Sequence, residues 1–191
     1  MNETPKGRGR IQFLLIAAIF LGPLAIAAWM YFTDSGLIPE GRVNHGALLQ
    51  PIVNLPEALP DSGLHAPNEG HWVLLHANTD ACGEDCQYAL YTLRQTRLML
   101  GKEMDRVVRV FLHGETPPDK VFLAEQHDGL VVRRDHNLSE LLDSKRPRSL
   151  AAGGYFLVDP LGNLVLYFPP DIDPSDMVED VKRLLKQSRI G

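Results

Sequence analysis

The stretch that most limits what this chain can fold into is Ile11 to Phe32. It runs 22 residues without a charge and with one polar amide, Gln12. About 20 apolar residues suffice to cross a bilayer as a helix, and Pro23 is tolerable in such a helix. Trp29, Tyr31 and Phe32 close the run as an interfacial aromatic belt would. Lys6, Arg8 and Arg10 stand before it, and the positive-inside rule keeps that end in the cytoplasm. Residues 1–10 are therefore expected to be a basic cytoplasmic N-terminus and residues 11–32 a single-pass anchor in the inner (plasma) membrane. The body then lies outside, in the periplasm where a cell has two membranes. A cleaved signal peptide is the alternative, because Ala25-Ile26-Ala27 is A-x-A-like. The apolar run continues past that point through Trp29 and Met30, which favours an uncleaved anchor. Either way the body is exported.

Beyond the anchor the chain is long enough for one ordinary domain. Of the 191 residues, 45% are hydrophobic and 23% charged, which fits a globular body and argues against wholesale disorder. The net charge is −5; from Ile11 onward 16 bases face 23 acids, a net of −7. An acidic body argues against nucleic-acid binding, which needs a basic face. Residues 33–70 hold repeated Pro and Gly and read as a linker with turns, in which Ala47 to Leu55 is placed as a short strand or hairpin. The domain proper is expected over residues 71–191.

Within it, Trp72 to Leu75 reads as a buried strand. A polar turn, His76 to Asp80, leads to Cys82-Gly83-Glu84-Asp85-Cys86, and a helical pattern follows with Ala89, Leu90, Leu93 and Leu100 on one side. The only two cysteines thus sit where a strand hands over to a helix. Unpaired N–H groups and the dipole make a helix N-terminus favourable for thiolates. Residues four apart share a helix face, so the two sulfurs are suited to a reversible disulfide or to gripping one soft metal ion. One structural bridge is the plainer reading. A structural bridge gains most from closing a long loop; this pair closes almost nothing, which favours a functional pair.

Arg106 to Leu112 is a second strand candidate, rich in β-branched residues. A helix is expected from Asp119 to about Gln126, a strand over Leu130 to Arg133 and a short helix near Leu138 to Leu142. Tyr155 to Val158 and Leu164 to Phe168 form a hairpin around Asp159-Pro160-Leu161-Gly162-Asn163. Asp173 and Pro174 start a last helix, with acids early, bases late and an apolar stripe of Met177, Val178, Val181, Leu184 and Leu185. The order is that of an α/β, thioredoxin-like fold, with helices on both faces of a partly parallel sheet.

Strand, C-x-x-x-C and helix together resemble the Sco/SenC group of thioredoxin-like proteins. Phe156-Leu157-Val158-Asp159-Pro160-x-Gly162 is similar to the hairpin shared by that group and the thioredoxin-like reductases. Gly41 to Pro51 resembles the post-anchor segment of a small membrane-anchored branch associated with cytochrome c oxidase biogenesis. The resemblance implies a Sco-like assembly factor acting through Cys82 and Cys86. Two roles follow from it: copper binding and delivery, or thiol-disulfide reduction of a partner's copper site. The implied partner is a cytochrome c oxidase subunit or another copper chaperone, and copper is the only cofactor implied. An oxidoreductase activity would make Cys82 and Cys86 catalytic.

A Sco-type copper site adds one histidine to two cysteines, and soft thiolates with imidazole suit copper. The family's histidine precedes the hairpin; here that stretch is Ser149 to Gly154, without histidine. Gln87 stands where the family has proline, and Gly153-Gly154 where thiol oxidoreductases of this fold carry a cis-proline. His76 and His113, each at the end of a central strand, are the candidate replacements, since ligands of α/β folds gather at that sheet edge. Glu84 and Asp85 oppose thiolate formation between the cysteines and also suit a helix N-terminus. His45, His65, His71, His127 and His136 read as loop or surface residues without a role. The competing reading is a non-catalytic scaffold that kept the fold and lost the metal site.

Overall fold

The computed structural model describes residues 6–32, 44–60 and 70–188. The chain divides into two compact units, residues 1–43 and residues 44–191. In the first, helix α1 (Lys6–Phe32) carries Pro23 inside it. Its segment Gly9–Met30 has a mean hydropathy of 2.3 and is long and apolar enough to cross a membrane.

The second unit is built on one sheet of six strands: β1 (Ala47–Asn54), β2 (Trp72–Asn78), β3 (Val107–His113), β4 (Leu130–Arg133), β5 (Tyr155–Val158) and β6 (Asn163–Phe168). Their spatial order is β1-β6-β5-β2-β3-β4. One half is parallel, β2 to β3 to β4, and the other antiparallel, β5 to β2, β6 to β5 and β1 to β6. The helices are α2 (Leu55–Ala58), α3 (Glu84–Met99), α4 (Lys120–Gln126), α5 (His136–Lys145) and α6 (Pro174–Gln187), with a 3-10 turn over Gly101–Arg106.

Period-2 alternation along β2 divides the core. Trp72 and Leu74 face a cluster built with Leu90 and Leu93 of α3, Phe111 of β3, and Met177, Val181 and Leu185 of α6. Val73 and Leu75 face the other side, against Leu138 and Leu142 of α5, Leu55, Phe156 and Tyr167. Two parallel crossovers in the same direction put α3 and α4 on one face, as right-handed connections require. The sheet is therefore covered on both sides, which is why β2 and β3 read as near-continuous apolar runs.

Local signals set the ends. Gly101, at φ +63°, follows α3 as a left-handed residue would. Asp119, Asp135 and Asp173 cap α4, α5 and α6 by accepting from the backbone N–H of Phe122, Leu138 and Ser175 at 2.8, 2.9 and 2.7 Å. In the β5–β6 hairpin Asp159 Oδ1 accepts from the N–H of Leu161 and of Asn163, at 2.9 and 2.8 Å, and Gly162 takes φ +85°.

The strand expected inside the linker is β1, which joins the sheet through β6. Pro51 has no N–H to donate and so suits this edge position. The compact unit accordingly begins at Asn44 rather than near residue 71. Residues 33–43 and 61–69, the rest of the expected linker, lie outside the described residues.

Candidate functional site

Cys82 and Cys86 are joined as a disulfide with Cα atoms 5.1 Å apart. Their placement corrects the expectation that both share one helix face. Gly83 is the N-cap of α3 and Cys86 lies in its first turn, so Cys82 precedes the helix. What joins the sulfurs is the bend at Gly83, whose N–H donates to Ala81 O at 2.8 Å while its carbonyl accepts from Gln87 N at 2.9 Å. Cys86 is 5% exposed and packs in the α3-side core; Cys82 is half-buried. The more accessible residue of the pair is therefore Cys82.

Beside the disulfide lies a cleft of about 850 Å³, lined among others by His76, Cys86, Tyr88, Gly153, Tyr155 and Asp171. Each wall has a structural cause. His76 follows Trp72 and Leu74 on the α3 side of β2, as the strand period demands. It is 3% exposed and stacks on Phe111, ring centroids 5.7 Å apart and planes 10° apart. Tyr155 opposes His76 across the β2–β5 pair. Gly154 begins that approach because nothing larger fits: an added Cβ would lie 2.0 Å from Phe168 O.

The Gly154 carbonyl can only accept, so His76 Nδ1, 3.0 Å away, donates its proton there. That fixes the tautomer and leaves a lone pair on Nε2, which is buried and without a partner. Burial lowers the His76 pKa, and the bond to Gly154 offsets part of this. The ring is thus neutral at pH 7. Burial also raises the Tyr155 phenol to about 12, the nearby Thr92 hydroxyl offsetting part of the rise. Neither hydroxyl has a hydrogen bond of acceptable geometry.

His113 ends β3 opposite Asn78. Its Nδ1 lies 2.8 Å from Gly114 O, and it lines a separate hollow of about 190 Å³ with Thr79, Glu115, Arg134 and His136. Of the two candidate histidines, only His76 shares a cleft with Cys86. Among the described residues no three His, Cys, Asp or Glu side chains are grouped as a metal site. The sulfurs have the right softness for Cu(I) once the disulfide is reduced, but a three-donor set is not assembled in the disulfide form. Glu84 and Asp85 are exposed in the first turn of α3.

The remaining histidines divide. His45 lies 3.6 Å from Asp176 and 3.5 Å from Glu179, and His136 lies 3.2 Å from Glu140, all at the surface. His65 lies outside the described residues. His127 is 4% exposed, against the surface position expected for it. It follows α4 with no apolar pattern of its own, and Phe122, 4.8 Å away between ring centroids, draws it under that helix. Tyr155 and Tyr88 were not legible as site residues: the first sits in a continuous apolar strand, and the second lies on the polar side of α3.

No curated protein matches the chain. Among solved structures, the crystal structure of yeast Sco1 superposes with a TM-score of 0.52 at 15% identity, covering 65% of this chain and 85% of that one. Yeast Sco1 with copper bound gives 0.51 at 16% identity, covering 65% and 81%. The solution structure of apo Sco1 from Thermus thermophilus gives 0.49 at 19%, covering 62% and 82%. At such identities the likeness is one of fold. Two family models match the sequence itself: residues 4–34 match one described as the transmembrane-like, N-terminal domain, and residues 72–188 match its thioredoxin-like, C-terminal counterpart. The apolar helix, the mixed sheet and the family match over more than half of the chain agree, and the protein belongs to the transmembrane-like, thioredoxin-like family.

Proposed function

We propose that this protein is a membrane-anchored, outward-facing Sco-like factor that assists cytochrome c oxidase assembly by thiol-disulfide exchange through Cys82 and Cys86. The observation that carries the reading is the cysteine pair, closed as a disulfide beside a cleft that Cys86 lines and that is large enough for a partner segment. A partner thiolate attacks Sγ of Cys82, the more exposed residue of the two. The Cys82–Cys86 bond breaks, and Cys86 leaves as a thiolate at the N-terminus of α3, where N–H groups and the dipole favour the charge. A second partner thiol then displaces Cys82. The partner loses two electrons and two protons, and the pair gains them. Run backwards from the dithiol, the same steps reduce a partner disulfide.

Copper binding is the second reading. It is favoured by the unpartnered Nε2 lone pair of His76 in the cleft that Cys86 also lines. Reduced Cys82 and Cys86 would hold Cu(I) as soft thiolates, with His76 as the nearest imidazole. The orientation, with the basic N-terminus inside and the domain outside, rests on the positive-inside rule. The oxidase as client rests on resemblance alone.

The test is complementation of a deletion strain by the Cys82→Ser/Cys86→Ser double variant. Exchange or copper binding demands loss of oxidase activity. Rescue equal to wild type would instead favour a scaffold with vestigial cysteines. Anaerobic Cu(I) titration of wild type, double variant and His76→Asn then separates the two chemistries, since pure exchange needs no tight copper.

A further inference from the structure

On the α3 side of the sheet, below the cysteine cleft, two guanidinium groups and a buried histidine meet, with the exposed Asp128 carboxylate acting only weakly on Arg109. Arg109 of β3 pairs in register with Leu74, two residues below the His76 and Phe111 pair. Phe111 therefore stands between Arg109 and the cleft. Arg109 is 4% exposed, and its Nε and Nη1 are buried without an acceptor. Only Nη2 is engaged, donating to the Asp128 carbonyl at 2.5 Å. His127, also 4% exposed, keeps a buried Nδ1 without a partner.

Arg94 arrives from α3. Arg97 Nε donates to Val107 O at 2.9 Å, which registers the last turns of that helix against the start of β3. The helix runs antiparallel to the strand, so three residues back, about 4.5 Å, bring half-buried Arg94 level with Arg109, about 6.6 Å along the strand. No ion pair engages Arg94 or Arg109 among the described residues. Arg97 is already taken up by Asp105, 3.3 Å away. The Asp128 carboxylate acts on Arg109 from an exposed position, more weakly than Arg97 and Arg94 do in the opposite sense. His127 likewise feels Arg109 and Arg94.

A buried guanidinium with unused donors is costly unless something accepts from it. In a chain with a net charge of −5, two guanidinium groups and a buried imidazole come together beside the α4–β4 turn with the exposed Asp128 carboxylate as a weak counter-charge, and the unused Arg109 donors call for an acceptor from outside the chain. Gly129, at φ +72°, brings the turn backbone up to Arg109: an added Cβ would lie 3.9 Å from Nη2, in ordinary contact. Guanidinium groups match oxyanions better than any other basic side chain.

We propose that Arg94, Arg109 and His127 form a binding site for a phosphate-type oxyanion between α3, β3 and the α4–β4 turn, separate from the cysteine cleft. Free phosphate and a phospholipid headgroup offer the same chemistry, and a domain tethered to a bilayer meets both. The test uses the full-length, ¹⁵N-labelled protein in maltoside detergent, titrated with sodium phosphate and, at matched ionic strength, with sodium chloride. Phosphate should move the Nε–H resonances of Arg94 and Arg109 saturably, and chloride should not. Arg94→Gln, chosen because Arg94 is only half-buried, should weaken phosphate binding at least about tenfold, the worth of one charge-assisted hydrogen bond. Its thermal midpoint without phosphate should stay at the wild-type value. Dihexanoyl phosphatidic acid below its micellar concentration separates the sources. The same shifts at tenfold lower concentration than inorganic phosphate identify a lipid headgroup, and equal or weaker action identifies the free anion. Shifts that are linear and alike in phosphate and chloride, or unchanged affinity in Arg94→Gln, would overturn the site.

Discussion

At the residue scale His76 is the informative side chain, because its chemistry follows from one carbonyl. The Gly154 oxygen takes the Nδ1 proton, and burial keeps the ring neutral. A histidine whose folded pKa lies below its unfolded value of about 6.5 stabilises fully above that pH. The contribution is lost as pH falls below 6.5 toward the folded value, because the unfolded chain then binds the proton more readily. His127 adds to the same slope, burial and Arg109 lowering its pKa. In urea unfolding the wild type should lose more stability between pH 7.5 and 5.5 than His76→Asn, which keeps an N–H for Gly154 and cannot titrate. Equal losses would show that the buried ring is protonated without cost.

At the element scale the caps decide where helices begin, and α5 is the clearest case. It is the main helix on its face of the sheet, burying Leu138 and Leu142. Asp135 starts it by accepting from Leu138 N at 2.9 Å. Asp135→Ala should cost about 1 kcal/mol, or roughly 3 °C in thermal midpoint for a domain of this size. Calorimetry checks this, and no change would mean that Ser139, whose Oγ already donates to Asp135 O at 2.9 Å, holds the turn alone. Helix α3 differs: its cap is Gly83, which offers no side-chain acceptor. The N–H groups at that end stay available to a cysteine thiolate, which is the use the proposed exchange reaction would make of them.

At the scale of the whole molecule, the segment leading into β1 is tied to the last helix. Gly46 N donates to Asp180 Oδ2 at 2.8 Å, across 134 residues, and Arg183 Nη1 donates to Asn44 Oδ1 at 3.3 Å. Asp180 is 1% exposed. Asp180→Ala should cost about 2 kcal/mol, since the buried Gly46 N–H loses a charged acceptor. Hydrogen exchange should then speed up at Gly46 to Leu48 before it does in β2 or β3. Uniform exchange throughout would mean that β1 and the rest open as one unit. The sequence by itself determined the apolar helix, five of the six strands to within a residue or two, the hairpin and the capped last helix; β2 runs on to Asn78, through His76 to Asn78 that read as a turn. Those depend on periods, caps and turn residues that act over a few positions. It also placed the cysteines at the strand-to-helix junction. Only the tertiary structure decided that Cys82 stands before the cap, that His76 and not His113 shares the cleft with Cys86, and that His127 is buried beside Arg109. Each of those depends on which face and which level distant segments reach when they pack, and one sheet period or one helical turn is enough to reverse it.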